Sequence, residues 1–182
     1  MIVFYGPSGS GQDSIIEGLK KILPIELTVT TTTRKMRPGE EQGKPYYFIS
    51  KKEFQRDVEC GDFIEYATTY NEDFYGLTYK EFDRVNNSRK IGIWRTDLQG
   101  IHTVKKKFPH LKIIFIHAPL EILEDRIRRR DNPSEEYIQK RLAYIKQWLA
   151  KSIYDYKVEN EEGKLEETVQ AVADIIKKES QK

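Results

Sequence analysis

The chain opens on five consecutive apolar positions, Met1-Ile-Val-Phe-Tyr5, with no polar residue to mark a solvent-facing side. Such a run suits a short strand buried on both faces. A glycine-rich turn follows, and Ile15, Ile16, Leu19, Ile22 and Leu23 then recur at helical spacing until Pro24 stops the pattern. Leu27 to Thr33 is β-prone and predicts the next strand. The texture then shortens. Tyr46–Ile49 and Phe63–Tyr70 read as strands, while Ser50-x-x-Glu53 and Thr78-x-x-Glu81 each announce a helix N-terminus. Long elements return with a buried strand at Ile91–Trp94, a helix running to Phe108 and an apolar strand over Leu111–Ile116. Pro119 opens a helix carrying Leu120, Leu123 and Ile127. Ser134 caps a longer one with Ile138, Leu142, Ile145 and Leu149 on one face, and a last helix covers about 165–178.

Strands alternating with helices predict an α/β fold around a mostly parallel sheet. The pattern predicts one domain over 1–182, with core segments 1–32 and 86–182 and a small α+β lobe inserted at about 33–85. A formal charge of +2 does not mark a nucleic-acid partner. The single cysteine, Cys60, excludes an intramolecular disulfide and fits a reducing compartment. His102, His110 and His117 lack metal-ligand spacing, so no metal site is expected from side-chain spacing. Without about 18 consecutive apolar residues, no membrane span is expected either, and a cytoplasmic protein is the default.

The turn after the first strand reads Gly6-Pro-Ser-Gly-Ser-Gly11, the G-x-x-x-x-G of a phosphate-binding loop in its required strand–loop–helix setting. Such loops continue with Lys and then Ser or Thr. Here Gln12 and Asp13 follow, then Ser14. A loop suited to a polyphosphate thus lacks its cation and carries an anion. Farther on, Arg34 and Arg37 sit three apart in a turn, a spacing that suits two forked guanidinium grips on one phosphate monoester.

From residue 1 to about 178 the chain resembles the guanylate kinases, which transfer the γ-phosphate of ATP to GMP. The resemblance rests on GPSGSG, TTTTRKMRPGE, GKPYYF, FIEYA, FYG, TDLQG and KRL, in that order. It implies a phosphate-loop nucleoside monophosphate kinase fold: a parallel-sheet core, an inserted GMP-binding lobe and a helical lid at about 126–141. By the same resemblance Arg34 and Arg37 hold the GMP phosphate, with hydroxyls from Thr30, Tyr46 and Tyr75, and Glu65 accepts from guanine N1–H and its amino group. Gly6, Ser8, Gly9, Gly11, Gln12, Asp13 and Ser14 stand at the loop for the ATP phosphates. Arg130 and Arg141 match the arginines that close over those phosphates, and Asn160 falls near a segment approaching adenine.

Three departures bear on activity. The family's lysine and serine are replaced by Gln12 and Asp13. Its L-D-I-D-x-Q-G reads Trp94-Arg95-Thr96-Asp97-Leu98-Gln99-Gly100, so Asp97 keeps the second acidic position and Arg95 replaces the first. The Ser or Thr after Phe74-Tyr75-Gly76, which helps read guanine, is Leu77, with Thr78 one place on as a substitute hydroxyl. Asp13 and Arg95 are opposite changes expected to pair where Mg²⁺ and phosphates otherwise sit; the rival reading has Arg95 replacing the loop lysine. The resemblance therefore implies GMP or a related monophosphate as partner, and Mg²⁺ and ATP as cofactors of an active enzyme. Three functions follow: a monophosphate-binding homologue with impaired or lost phosphoryl transfer, an active divergent kinase using Arg95, Asp97, Arg130 and Arg141, or a phosphopeptide-binding module.

Overall fold

A computed structural model describes residues 1–68, 72–129 and 133–180, with the backbone of 130 and 131. The chain runs β1 (Ile2–Tyr5), α1 (Gln12–Ile22), β2 (Ile25–Leu27), β3 (Thr30–Thr32), β4 (Glu41–Gln42), β5 (Pro45–Phe48), α2 (Lys51–Glu59), β6 (Phe63–Thr68) and β7 (Phe74–Thr78). It continues through α3 (Tyr79–Asn86), β8 (Ile91–Arg95), α4 (Leu98–Lys107), β9 (Lys112–His117), α5 (Leu120–Asp131), α6 (Glu135–Ala150), β10 (Tyr156–Glu159) and α7 (Leu165–Ser180).

One sheet, ordered β10-β9-β1-β8-β2, is parallel at every pairing. β1 is central and apolar on both faces because both are covered. Ile2 and Phe4 join α1 and α7 residues such as Ile15, Leu19, Val172 and Ile176, whereas Val3 and Tyr5 join Trp94, Ile101, Ile113, Phe115 and Trp148 on the other side. Burying side chains of this size contributes about 1.5–3 kcal/mol each. Connections leave β1 toward β8 and β2 on one side, while β9 and β10 lie on the other, so a crevice opens at the carboxyl ends of β1 and β8. The glycine-rich turn and Arg95 lie at that edge, with Arg95 in register with Phe4.

The second sheet, β4-β5-β3-β7-β6, is mixed. The strand expected over Leu27–Thr33 is split between the sheets. Thr28 still donates its N–H to Ile93 in the first sheet, but the N–H of Val29 donates to Glu81 Oε1 at 2.7 Å. Glu81 is buried and its other oxygen accepts from Arg84 Nε at 2.8 Å, so a side chain replaces the sheet partner where the chain changes layers. That use of Glu81 leaves Thr78 capping α3 alone, whereas Ser50 and Glu53 form the full reciprocal capping box at α2. β10 escapes the apolar pattern because it is an edge strand with only Val158 buried. The end of the expected Phe63–Tyr70 strand lies outside the described residues.

Candidate functional site

The turn from β1 to α1 ends on Gly11 in the left-handed region (φ 84°), which favours glycine, and no side chain caps α1 at that point. The first backbone N–H groups of α1 therefore face the crevice, an arrangement suited to anions. A Cβ on Gly11 would collide with Asn160 Nδ2. Asn160 is buried, and that nitrogen donates to Ser10 O at 2.9 Å. Arg126 braces the same loop, donating from Nη1 to Gly9 O at 3.2 Å and from Nη2 to Asn160 O at 3.1 Å, while Glu162 holds Nη2 at 2.8 Å. In the sequence Arg126 is one member of a basic run. Its flanking Leu123 and Ile127, both buried, were the signal that this helix packs closely enough for one arginine to reach the loop.

At the front of the loop, Gln12 folds back and donates to Gly6 O at 3.0 Å, with Ser10 Oγ at 3.5 Å. The amide restrains the loop and adds no charge to it. Asp13 pairs directly with Arg95 Nη1, joining α1 to the end of β8. The pair expected from the sequence is formed at the rim of the crevice: the Asp13 side chain is 84% exposed and that of Arg95 32%. Water screens both charges, so the contact itself stabilises the fold by no more than about 1 kcal/mol. Arg95→Ala is accordingly expected to shift the urea midpoint only slightly, by less than about 1 kcal/mol in unfolding free energy. A larger loss would show the pair to be structural.

The crevice widens into a cleft of about 1330 Å³ lined by the loop, by Thr30, Tyr46, Glu65 and Tyr75 of the second sheet, by Arg95, Thr96 and Asp97, and by Arg141 of α6. Burial pushes the Glu65 carboxyl up to about 8, with the Asp97 carboxylate adding to the shift. Burial also raises the Tyr46 hydroxyl, and Arg95 opposes it more than any other neighbouring charge. Arg95 thus shares the cleft with the loop and the tyrosines. Asp97 caps α4, its Oδ1 accepting from Gly100 N–H at 2.8 Å. Arg141 rests over Tyr137 at 6.0 Å, and the Arg130 side chain lies outside the described residues.

Two arginines expected at the cleft do not line it. Arg34 forms an ion pair with Glu40, Nη2 donating to both oxygens at 2.7 and 3.0 Å, and stacks 5.5 Å from the Tyr46 and Phe48 ring centres. This charge-assisted contact, with Nη1 donating to Lys35 O at 2.7 Å, ties the guanidinium to its own turn. Glu40 also accepts from the backbone N–H of Arg37 at 2.8 Å. Leu77 does not face the cleft either; it is buried with Ile64, Phe82 and Trp94, because an apolar side chain gains more in that core than at a polar wall. Thr78 does not line the cleft either, and its Oγ1 caps α3, accepting from Glu81 N–H at 3.2 Å.

The guanylate kinase family model matches residues 1–179. The chain belongs to the guanylate kinase family. It is 38% identical over 165 residues to the guanylate kinase of Fusobacterium nucleatum, spanning 89% of this chain and 88% of that protein. With the guanylate kinase of Sus scrofa it shares 39% identity over 151 residues, 80% of this chain and 74% of the relative. The crystal structure of guanylate kinase from Anaplasma phagocytophilum covers 100% of this chain and 87% of its own, at 30% identity and a TM-score of 0.74. The phosphate-loop kinase fold expected from the sequence is therefore the fold of this guanylate kinase homologue. Among the described residues no helix is long and apolar enough to cross a membrane.

The residues facing the loop do not suit the Mg²⁺ that guanylate kinases use with ATP. The carboxylate at position 13 is already held by a guanidinium, and the strand end beside it carries that cation instead of an acid. Among the described residues no group of three or more His, Cys, Asp or Glu side chains is arranged to hold a metal ion.

Proposed function

We propose that this guanylate kinase homologue binds GMP or a related nucleoside monophosphate in the cleft and transfers phosphate from ATP poorly or not at all. The observation that carries the reading is the Asp13–Arg95 pair, standing where a loop hydroxyl and an acidic strand end would serve the donor phosphates. Phosphoryl transfer depends on preorganised charge around the moving group. In this chain Gln12 is turned onto Gly6, and Asp13 places an anion beside the loop.

The acceptor side keeps its chemistry. Glu65 takes two N–H groups of a guanine edge, and Thr30, Tyr46 and Tyr75 offer hydroxyls to the monophosphate, with Arg34 and Arg37 supplying charge once the Glu40 contact is exchanged for phosphate. Asp97 supports the base side from its capping position. The 33–85 segment serves as the acceptor lobe, and 126–141, with Arg130 and Arg141, as the lid over the loop.

A second reading has one observation in its favour. Arg95 lines the same cleft as the loop and Tyr46, so its guanidinium can reach toward a transferred phosphoryl group and stand in for the lysine. Thermal unfolding and ADP release separate the two. The impaired-enzyme reading predicts that millimolar GMP raises Tm while Mg-ATP barely moves it, and that ADP does not accumulate when GMP is added. ADP formation that depends on GMP at kinase-like rates selects the second reading.

A further inference from the structure

Thr96 stands out on the cleft wall. Its Oγ1 is buried and has no hydrogen-bond partner among the described residues. The obvious partner would be an N–H in the first turn of α4, but Asp97 Oδ1 already takes that of Gly100. The residue itself is held firmly, because its backbone N–H donates to Phe4 O at 3.1 Å. A buried hydroxyl left unpaired costs about 1–3 kcal/mol, so its retention in a cleft wall points to a partner that arrives from the cleft.

Its neighbour says what that partner is. A Cβ built on Gly100 would overlap Thr96 Oγ1 and stand 3.1 Å from Glu65 Oε2, so hydroxyl and carboxylate share one patch of wall against the same helix turn. Only glycine at position 100 leaves room for both. A carboxylate accepts from two adjacent N–H groups. An O–H beside it donates to an oxygen next to those N–H groups. Guanine offers that sequence along one edge: amino group, N1–H, then O6. Of the positions next in sequence to Gly76, Leu77 has no hydroxyl and is buried in the core, and Thr78 does not line the cleft.

We infer that Thr96 is a base-specificity residue, donating its hydroxyl to O6 of a guanine whose N1–H and amino group are held by Glu65. The inference rests on the monophosphate reading above and assigns its base. A hydroxyl absent at position 77 is thereby supplied from the opposite strand end, at 96.

Isothermal titration of the full chain with GMP and with 6-thio-GMP tests this, since sulfur accepts hydrogen bonds weakly. The native protein is expected to prefer GMP by roughly tenfold. Thr96→Val, equal in shape, is expected to lose roughly tenfold in GMP affinity and to bind both ligands alike, while Thr96→Ser keeps the preference. A side chain that merely packs could disfavour the larger sulfur on size, but Thr96→Val, equal in shape, would then keep that preference. Equal binding of the two ligands by the native chain overturns the inference without recourse to any variant. So does a Thr96→Val protein that binds GMP as tightly as the native one. A native chain that binds neither ligand overturns the monophosphate reading itself, an outcome distinct from lost discrimination.

Discussion

The triple variant Gln12→Lys, Asp13→Ser, Arg95→Asp is expected to transfer phosphate from ATP to GMP at least about a hundred times faster than the native chain. The three changes act at one place. A lysine in place of Gln12 would return a charge to a loop whose side chain at that position now bonds to Gly6 O. The other two would dissolve the Asp13–Arg95 pair, returning a hydroxyl to α1 and an acid to the end of β8. Changing the loop alone would leave Arg95 without its anion, and changing Arg95 alone would leave Asp13 beside the phosphates. The singles are therefore expected to recover much less than the triple, a non-additivity that marks coupled sites. Coupled detection of ADP with GMP as acceptor provides the measurement. Comparable rates for native and triple variant would sink the impaired-enzyme reading and favour Arg95 as the substitute cation.

Glu65→Gln is expected to strengthen the fold at high pH while removing GMP binding. The Glu65 carboxyl is held near 8 against an ordinary value of 4.5, chiefly by burial. Below about pH 4.5 the folded and unfolded chains both carry the proton, and the group has no effect on stability. Between there and about 8 the folded chain keeps a proton that the unfolded chain releases, so stability falls as pH rises. Above 8 the loss is complete, at roughly 3–5 kcal/mol as an upper figure. Glutamine removes the ionisation. The variant should match the native Tm near pH 4.5 and exceed it clearly at pH 8.5. The same change takes an acceptor from guanine's two N–H groups, and a loss of at least about a hundredfold in GMP affinity is expected. Parallel pH dependence of the two proteins would show that Glu65 is not the titrating group. Native GMP affinity should also climb as pH approaches 8, because the carboxylate form is the one that accepts both hydrogen bonds.

Activity-bearing substitutions were easier to find in the chain than the geometry they produce. The mismatch of Gln12 and Asp13 with a phosphate loop, and the opposite mismatch at Arg95, are visible as letters, and aligned strand ends suggested that 13 and 95 meet. They do meet. Their solvation was not legible, because exposure depends on how far the rim of the crevice stands from the sheet, which no local pattern records. Arg34 was legible as a charge in the right turn, but the carboxylate that holds it lies six residues on, and its orientation is set by rings of β5.

The chain alone determined the helices and the apolar strands in order, though not β4, β10 or the break between β2 and β3, together with the family and the chemical identity of the altered positions. These follow from short-range physics: apolar runs that need two covered faces, glycine where φ is positive, and caps that satisfy the first N–H groups of a helix. Tertiary structure decided which way the decisive side chains face. Leu77 turns into the core, Gln12 onto its own loop, and Thr96 presents a hydroxyl beside Glu65. Those directions come from contacts between segments far apart in sequence, where packing and unpaired polar atoms compete and the surroundings determine which prevails.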